Sequence, residues 1–384
     1  IYRSIDAGET WSVLNPISFT FPGGIFTNVQ INRIVFPAPN VLLVATNNGL
    51  FRSVDGGLNF GSNTPTFNNG QPILSNFISD LDLDTATAAT VYASVSGVGI
   101  FQSTDGGVTF PTNLFNNPGA PVAFGNISFA QSTAPDNQRM YANVQGAPFA
   151  GLFRSDNAGG TWAVQPGAAG AGAANGGCQC GYDLTVGVDP QDANRVYIGF
   201  QELYRSTDGG GIFVNVTANL VHFDHHALVF TPGTHISGPA PTRFYVGTDG
   251  GIARTDNGGT NWANINEGIA TNLFLGIDIG RGSAANNAFS YGGCQDTGIS
   301  EHRPPFPGTD WHLARDGDGG PVVVDPGNAM GAYGSDNGSL VVTADGGATW
   351  PFPAPLATGL PACAPPFATF SCAQPLAVDP NNGA

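Results

Sequence analysis

A chain of 384 residues with 55 Gly, 29 Pro, 41% hydrophobic residues and a net charge of -16 is a turn-rich globular sequence rather than a disordered one. All twelve basic residues are Arg, which excludes lysine Schiff-base chemistry, and an acidic field with no basic stripe argues against nucleic acid and anionic membranes as partners. No apolar run is long enough to span a bilayer, so direct membrane insertion is not expected.

The chain opens on "IYRSIDAGETW" from Ile1, and this box returns as "LFRSVDGGLNF" from Leu50, "IFQSTDGGVTF" from Ile100 and "LFRSDNAGGTW" from Leu152. It recurs again as "LYRSTDGGGIF" from Leu203, "IARTDNGGTNW" from Ile252 and "LVVTADGGATW" from Leu340. Its hydroxyl falls at Ser4, Ser53, Ser103, Ser155, Ser206, Thr255 and Thr343, at steps of 49, 50, 52, 51, 49 and 88. The last step hides a degenerate copy, with His302 at the hydroxyl position and Trp311 at the aromatic one. Ahead of each box come two apolar or alternating runs separated by turn residues, as in "DLTVGVDPQDA" and "RVYIGF". A period near fifty built from such runs predicts four-stranded antiparallel blades, with no helix.

Hairpin chemistry explains the box. An Asp or Asn at its third position (Asp6, Asp55, Asp105, Asn157, Asp208, Asn257, Asp345) accepts from backbone N–H groups further along, and the next Gly supplies a positive φ. The terminal Trp or Phe buries against the hairpin, and these carboxylates are read as structural because chemistry would not recur seven times.

Ser-x-Asp-x-Gly-x-Thr-Trp resembles the Asp-box, or BNR, motif of sialidase-like, sortilin-like and xyloglucan-degrading glycosidase propellers and of a photosystem II assembly propeller. The resemblance implies an all-β fold, a β-propeller of seven or eight four-stranded antiparallel blades with Asp-box hairpins. It covers nearly the whole chain and is weak for function. The expected organisation is a single propeller over 1–384, with seven full units from about 33 to 350 and an incomplete unit shared by the two ends. Ile1 starts directly on a box strand, so the natural chain is expected to extend at one or both ends. Cys363 and Cys372 flank "CAPPFATFSC", a loop a disulfide could close, which points to a secreted, cell-surface or periplasmic setting. Cys178 and Cys180 read as inert or locally disulfide-bonded, and Cys294 leaves the count odd.

Function belongs where the repeat breaks. In "VHFDHHALVF", His222, Asp224 and His226 alternate, and on one strand face they form a His/Asp/His set for zinc or another divalent ion. The competing reading is a polar cluster lining the propeller channel. The region also resembles a bacterial subset of Asp-box proteins with successive His-Ala-Asp-Gln-His, Asn-Asp-Gly-Gly, Gly-Gly-x-Gln-Asp-Asn-Gly and Trp…Gly-Asp-Gly motifs. The counterparts are "HFDHH", "TDGG" with Asp249, "GGCQDTG" with Gln295 and Asp296, and "WHLARDGDGG" with Asp316 and Asp318. Phe223, His225 and Thr297 depart from that pattern.

Two function classes compete. As a glycoside hydrolase, Asp249 would resemble the catalytic Asp-Gly-Gly carboxylate of the xyloglucan-degrading enzymes, with Asp316 or Asp318 as its partner and Trp262 and Trp311 stacking sugars. The same Asp-Gly-Gly and Asp-Gly-Asp-Gly-Gly strings also suit turns or calcium loops. As a binding or assembly scaffold, the expected leading reading, the propeller would present a face or channel to a protein partner or polysaccharide. Insertions at Gln165 and Pro351 would then serve as partner loops or plain surface loops. A sialidase is disfavoured because Arg3, Arg52, Arg154, Arg205 and Arg254 share one repeat position, which argues for structure.

Overall fold

The recurring box folds as a closed turn. In the copy at Ser103, the hydroxyl donates to Asp105 Oδ1 at 2.7 Å and accepts from Gly107 N at 2.9 Å, while Asp105 Oδ1 accepts from Thr109 N at 2.9 Å. The bond from the glycine N–H to the hydroxyl recurs at Ser53, Ser155, Ser206, Thr255 and Thr343, so a short side-chain network replaces the backbone bonds the chain loses on reversing. The second glycine must lack a side chain: Gly107 has φ +79°, and a Cβ there would lie 2.3 Å from Leu43 Cδ1 of the preceding repeat.

In the computed structural model the described residues are 29–60, 76–133, 138–146, 151–174, 179–218, 220–231, 243–266, 274–281, 283–304 and 311–352, with short stretches inside 2–25 and 65–73. The fold is an all-β propeller whose units are successive antiparallel sheets. The chain divides into two compact units, Ile1–Asn266 and Glu267–Ala384.

Within the first unit, sheet one pairs Ile31–Ala38, Val41–Thr46 and Gly49–Ser53. Sheets two to five each have four strands and begin on Ile78–Leu83, Ile127–Gln131, Thr185–Asp189 and His225–Phe230. These first strands neighbour one another in chain order. Apolar side chains fill the space between successive sheets. Leu43, Leu50, Ile78, Leu81 and Phe110 are fully buried between sheets one and two, and each such side chain contributes roughly 1.5–3 kcal/mol. In the second unit, sheet six starts on Phe274–Ile279 and has four strands. Sheet seven has three strands among the described residues, Gly319–Val324, Ala332–Asp336 and Ser339–Thr343, over a core of Tyr291, Ile299, Val322, Val341 and Trp350.

One expectation needs correction. A helix occurs, Gly167–Ala174, inside the insertion at Gln165. Its Ala and Gly residues carry no amphipathic period to read, but Ala168 and Ala171 bury against Val186, Val196 and Phe200 of sheet four, so packing rather than pattern holds it. Cys180 is disulfide-bonded and Cys294 is free and buried. Cys178, Cys363 and Cys372, and nearly all of the insertion at Pro351, lie outside the described residues.

Candidate functional site

Three carboxylates meet where sheets four and five begin. Asp183 lies just ahead of the first strand of sheet four, with its N–H donating to the Gln179 carbonyl at 2.8 Å. Asp224 and His225 hook the start of sheet five onto the hairpin turn of sheet four, donating to Gln201 O at 2.9 Å and Phe200 O at 2.8 Å. Asp249 lies in the turn between the strands Phe244–Thr248 and Gly251–Thr255. The pairing of His225 with Thr248 brings that turn beside the start of sheet five.

His226 links the acids. Its Nε2 is 2.7 Å from Asp249 Oδ1, which requires the proton on Nε2, and its Nδ1 is 3.8 Å from Asp183 Oδ1. The Tyr182 hydroxyl donates to Asp249 at 2.9 and 3.1 Å, and the Tyr182 ring stands edge-on to His226 with centroids 4.6 Å apart. Gln179 Nε2 donates weakly to Asp224 Oδ1 at 3.4 Å. The His222 ring packs over Gly250, where a Cβ would come within 2.4 Å of it, so a glycine beside Asp249 is sterically required.

Asp183 is the unusual member. It has no exposed surface, and among the described residues neither carboxyl oxygen has a hydrogen-bond donor. Burial, contact with the Asp224 carboxyl and the charge of Asp249 push its pKa well up, which favours its protonated form. The adjacent His225 is fully buried with Nδ1 against Gln201 O at 3.1 Å, and burial drives its pKa down to about 4.

The expected His222, Asp224 and His226 metal set is not realised on one strand face. The strand starts only at His225 and bulges between His225 and Ala227, and Asp224 turns through φ +64° before it. His222 faces Phe223 O and Gly250, and among the described residues no three His, Cys, Asp or Glu side chains form a metal-binding group. Trp262 packs in the core, edge-on to Phe244 at 5.4 Å with Nε1 donating to Val216 O at 2.8 Å, so its ring is committed to the sheet interface.

The remaining candidates lie in the second unit. Asp296 occupies the turn after Ser290–Cys294 with φ +61°, and its N–H donates to Asp318 Oδ1 at 3.1 Å. Asp318 also accepts at its backbone oxygen from Asn337 N at 2.9 Å, which makes it a turn-binding residue. Asp316 is exposed, and Gly317 N donates to it at 3.0 Å. Gln295 accepts at its carbonyl from Thr297 in the same turn. Trp311 is 37% exposed and leans on Phe274 at 5.2 Å. Asp249 therefore falls in a different compact unit from Asp296, Asp316 and Asp318.

Sequence reasoning missed Tyr182 and Asp183. The signal was available: "GYD" and "HFD" both place an aromatic-Asp pair just before a first strand, in consecutive repeats. Aligning the units on the box, their best-marked element, hides this correspondence at their other end.

No family model matches the chain, and no curated protein matches it. Among solved structures it is similar to a GH74 enzyme from Niastella koreensis (15% identity, 72% of this chain and 45% of that one, TM-score 0.37) and to the GH74 xyloglucanase from Xanthomonas campestris (16%, 91% and 60%, 0.41). It is also similar to YCF48 bound to D1 peptide (12%, 83% and 91%, TM-score 0.41). The chain spans about half the length of the GH74 enzymes it matches.

Proposed function

We propose that the chain is a non-catalytic binding or assembly scaffold of the Asp-box kind, working outside the cytoplasm, that presents the Tyr182 and Asp249 end of sheets four and five to a protein or glycan partner. What supports this reading is the way the acids are used. Asp249 is engaged by both His226 and Tyr182, and the imidazole stands between it and Asp183. Inverting glycoside hydrolysis keeps its two carboxyl groups roughly 6.5–9.5 Å apart with a water between them, and here a side chain fills that gap. Tyr182 meanwhile is 58% exposed and Phe223 half exposed, a rim suited to contact.

The second reading, glycoside hydrolysis, draws on the surroundings of Asp183. Burial and the neighbouring Asp224 and Asp249 raise its pKa, as in a general acid near a second carboxylate. Incubating the purified chain with xyloglucan and other β-glucans, with release of reducing ends as the readout, separates the two. The scaffold reading expects no turnover together with binding on peptide or glycan arrays. Turnover abolished by Asp249→Asn would overturn it.

A further inference from the structure

We propose that Glu301 is a proton-operated latch between sheets six and seven, closing when its carboxyl takes up a proton from solvent and donates it in a hydrogen bond to the Gly346 carbonyl. The device is separate from the Tyr182 and Asp249 end and does not depend on what binds there.

The first argument is the place of Glu301 in the repeat. Arg52, Arg154 and Arg205 each precede a box hydroxyl and donate to a carbonyl of the next box, that of Gly106, Gly209 and Gly258. Each of these glycines lies three residues beyond the hydroxyl of its own box. Glu301 precedes His302, the hydroxyl position of the degenerate copy, and the equivalent carbonyl is that of Gly346, three residues beyond Thr343. Strand pairing supports the correspondence, since Arg154 stands opposite Tyr141, Arg205 opposite Tyr197 and Glu301 opposite Tyr291. A glutamate carboxyl oxygen is as many bonds from the backbone as an arginine Nε, and Nε is the atom through which Arg52 makes its bond. The side chain is therefore long enough for the clamp, but only a protonated carboxyl has a hydrogen to donate.

The second argument is where that carboxyl lies. Glu301 is buried, and its Oε1 accepts from Arg303 Nε at 2.8 Å, whereas Oε2 is shut away from water with no hydrogen-bond partner among the described residues. The unpaired oxygen rests on the box turn of sheet seven, where a Cβ added to Gly347 would collide with it. A buried carboxylate with one oxygen unpaired is costly, and a proton on Oε2 gives that oxygen a bond to make. Burial raises the Glu301 pKa and the charge of Asp345 in the same turn adds to the rise, while Arg303 and His312, which pairs with Glu301 on the outer strand, hold it back. Tyr291 is the remaining titratable group beside it, and burial pushes its pKa above the ordinary tyrosine range, so it stays neutral. Acid therefore tightens this seam, and neutral pH loosens it. The same two sheets are joined elsewhere by the Asp296 N–H bond to Asp318, so the latch acts on the elements that carry those acids.

The test is amide hydrogen exchange of the whole chain from about pH 8 to about pH 4.5, corrected for intrinsic exchange and read at peptides spanning 298–302 and 343–350. The seams clamped by Arg52 and Arg154 serve as internal controls, because a guanidinium keeps its charge across that range. The expected result is protection at the seam of sheets six and seven that rises about tenfold or more toward acid while the controls stay level. Glu301→Gln, whose amide donates at every pH, should hold the protected state throughout, and Glu301→Ala should hold the unprotected one. Carboxyl carbon NMR of the parent chain labelled at its four glutamates needs no substitution, and Glu301 should titrate above the ordinary glutamate range. Protection as level as in the controls overturns the proposal, as does a pH response that survives in Glu301→Gln or a Glu301 carboxyl that titrates in the ordinary range.

Discussion

Arg205 in sheet four donates to the carbonyl of Gly258, in the box turn of sheet five, at 2.7 Å. Arg52 makes the equivalent bond to Gly106 at 3.0 Å and Arg154 to Gly209 at 3.2 Å, so one repeat position stitches each of these sheets to the next box. Arg52, Arg154 and Arg205 are clamps between sheets, and their guanidinium groups are committed to that contact rather than to a substrate carboxylate. Arg205→Ala is expected to lower stability by about 1 kcal/mol through loss of a charged donor, the Gly258 carbonyl keeping the Tyr197 hydroxyl at 3.1 Å. Denaturant midpoints of Arg52, Arg154 and Arg205 variants would check it, and unchanged midpoints would refute the clamp.

Inside the box, Ser103 is fully buried and its hydroxyl is the acceptor for Gly107 N. Ser103→Ala should cost about 1–3 kcal/mol, and Ser103→Thr should restore most of it because Thr255 and Thr343 occupy the same position in other copies. Recovery absent in the Thr variant would mean that the hydroxyl network is not what holds the turn.

Acid should act on the boxes. Hydrogen bonds from Ser53 and Asn59 hold Asp55 down to about 2, and those from Thr349 hold Asp345 down to about 2. A carboxylate whose folded pKa is depressed contributes stability that is present above the unfolded value near 4 and is lost as pH falls toward 2. Asp55→Asn and Asp345→Asn should therefore flatten the acid limb of a melting temperature profile below pH 4. An acid limb as steep as in the parent chain would contradict this.

Asp183 and His225 should tilt stability in opposite directions. Asp183 has a raised folded pKa, so the folded chain binds the extra proton and stability declines as pH rises above the unfolded value near 4. His225 is held down to about 4 against an unfolded value near 6.5, so its part of the stability is lost as pH falls from 6.5 toward 4. Asp183→Asn is expected to melt above the parent at pH 7, with the gap closing toward pH 4. Differential scanning calorimetry across that range would decide it, and a lower melting point at pH 7 would count against a protonated Asp183.

Trp262→Ala should destabilise by about 3 kcal/mol through lost packing on Phe244 and the lost bond to Val216 O, with Trp262→Phe intermediate. Neither should alter glycan or peptide binding if the ring serves the sheet interface. A binding defect in a stably folded Trp262→Phe would return this residue to the ligand site.

The sequence by itself determined the repeat, the antiparallel sheets and the structural use of Asp55, Asp105 and the other box acids, because those depend on bonds within a few residues and on alternation along single strands. Local pattern also marked the neighbourhood of the candidate site, through Asp224, His226 and Asp249. What only the tertiary structure decided is which groups meet there. A one-residue bulge and a left-handed Asp224 undo the alternation that a straight strand would give His222, Asp224 and His226. Asp183 enters from another repeat because first strands of neighbouring sheets lie side by side, a relation carried by packing and invisible to spacing along the chain. Burial then pushes the pKa of that carboxyl up from the ordinary range, and no pattern of letters records how much water a fold removes.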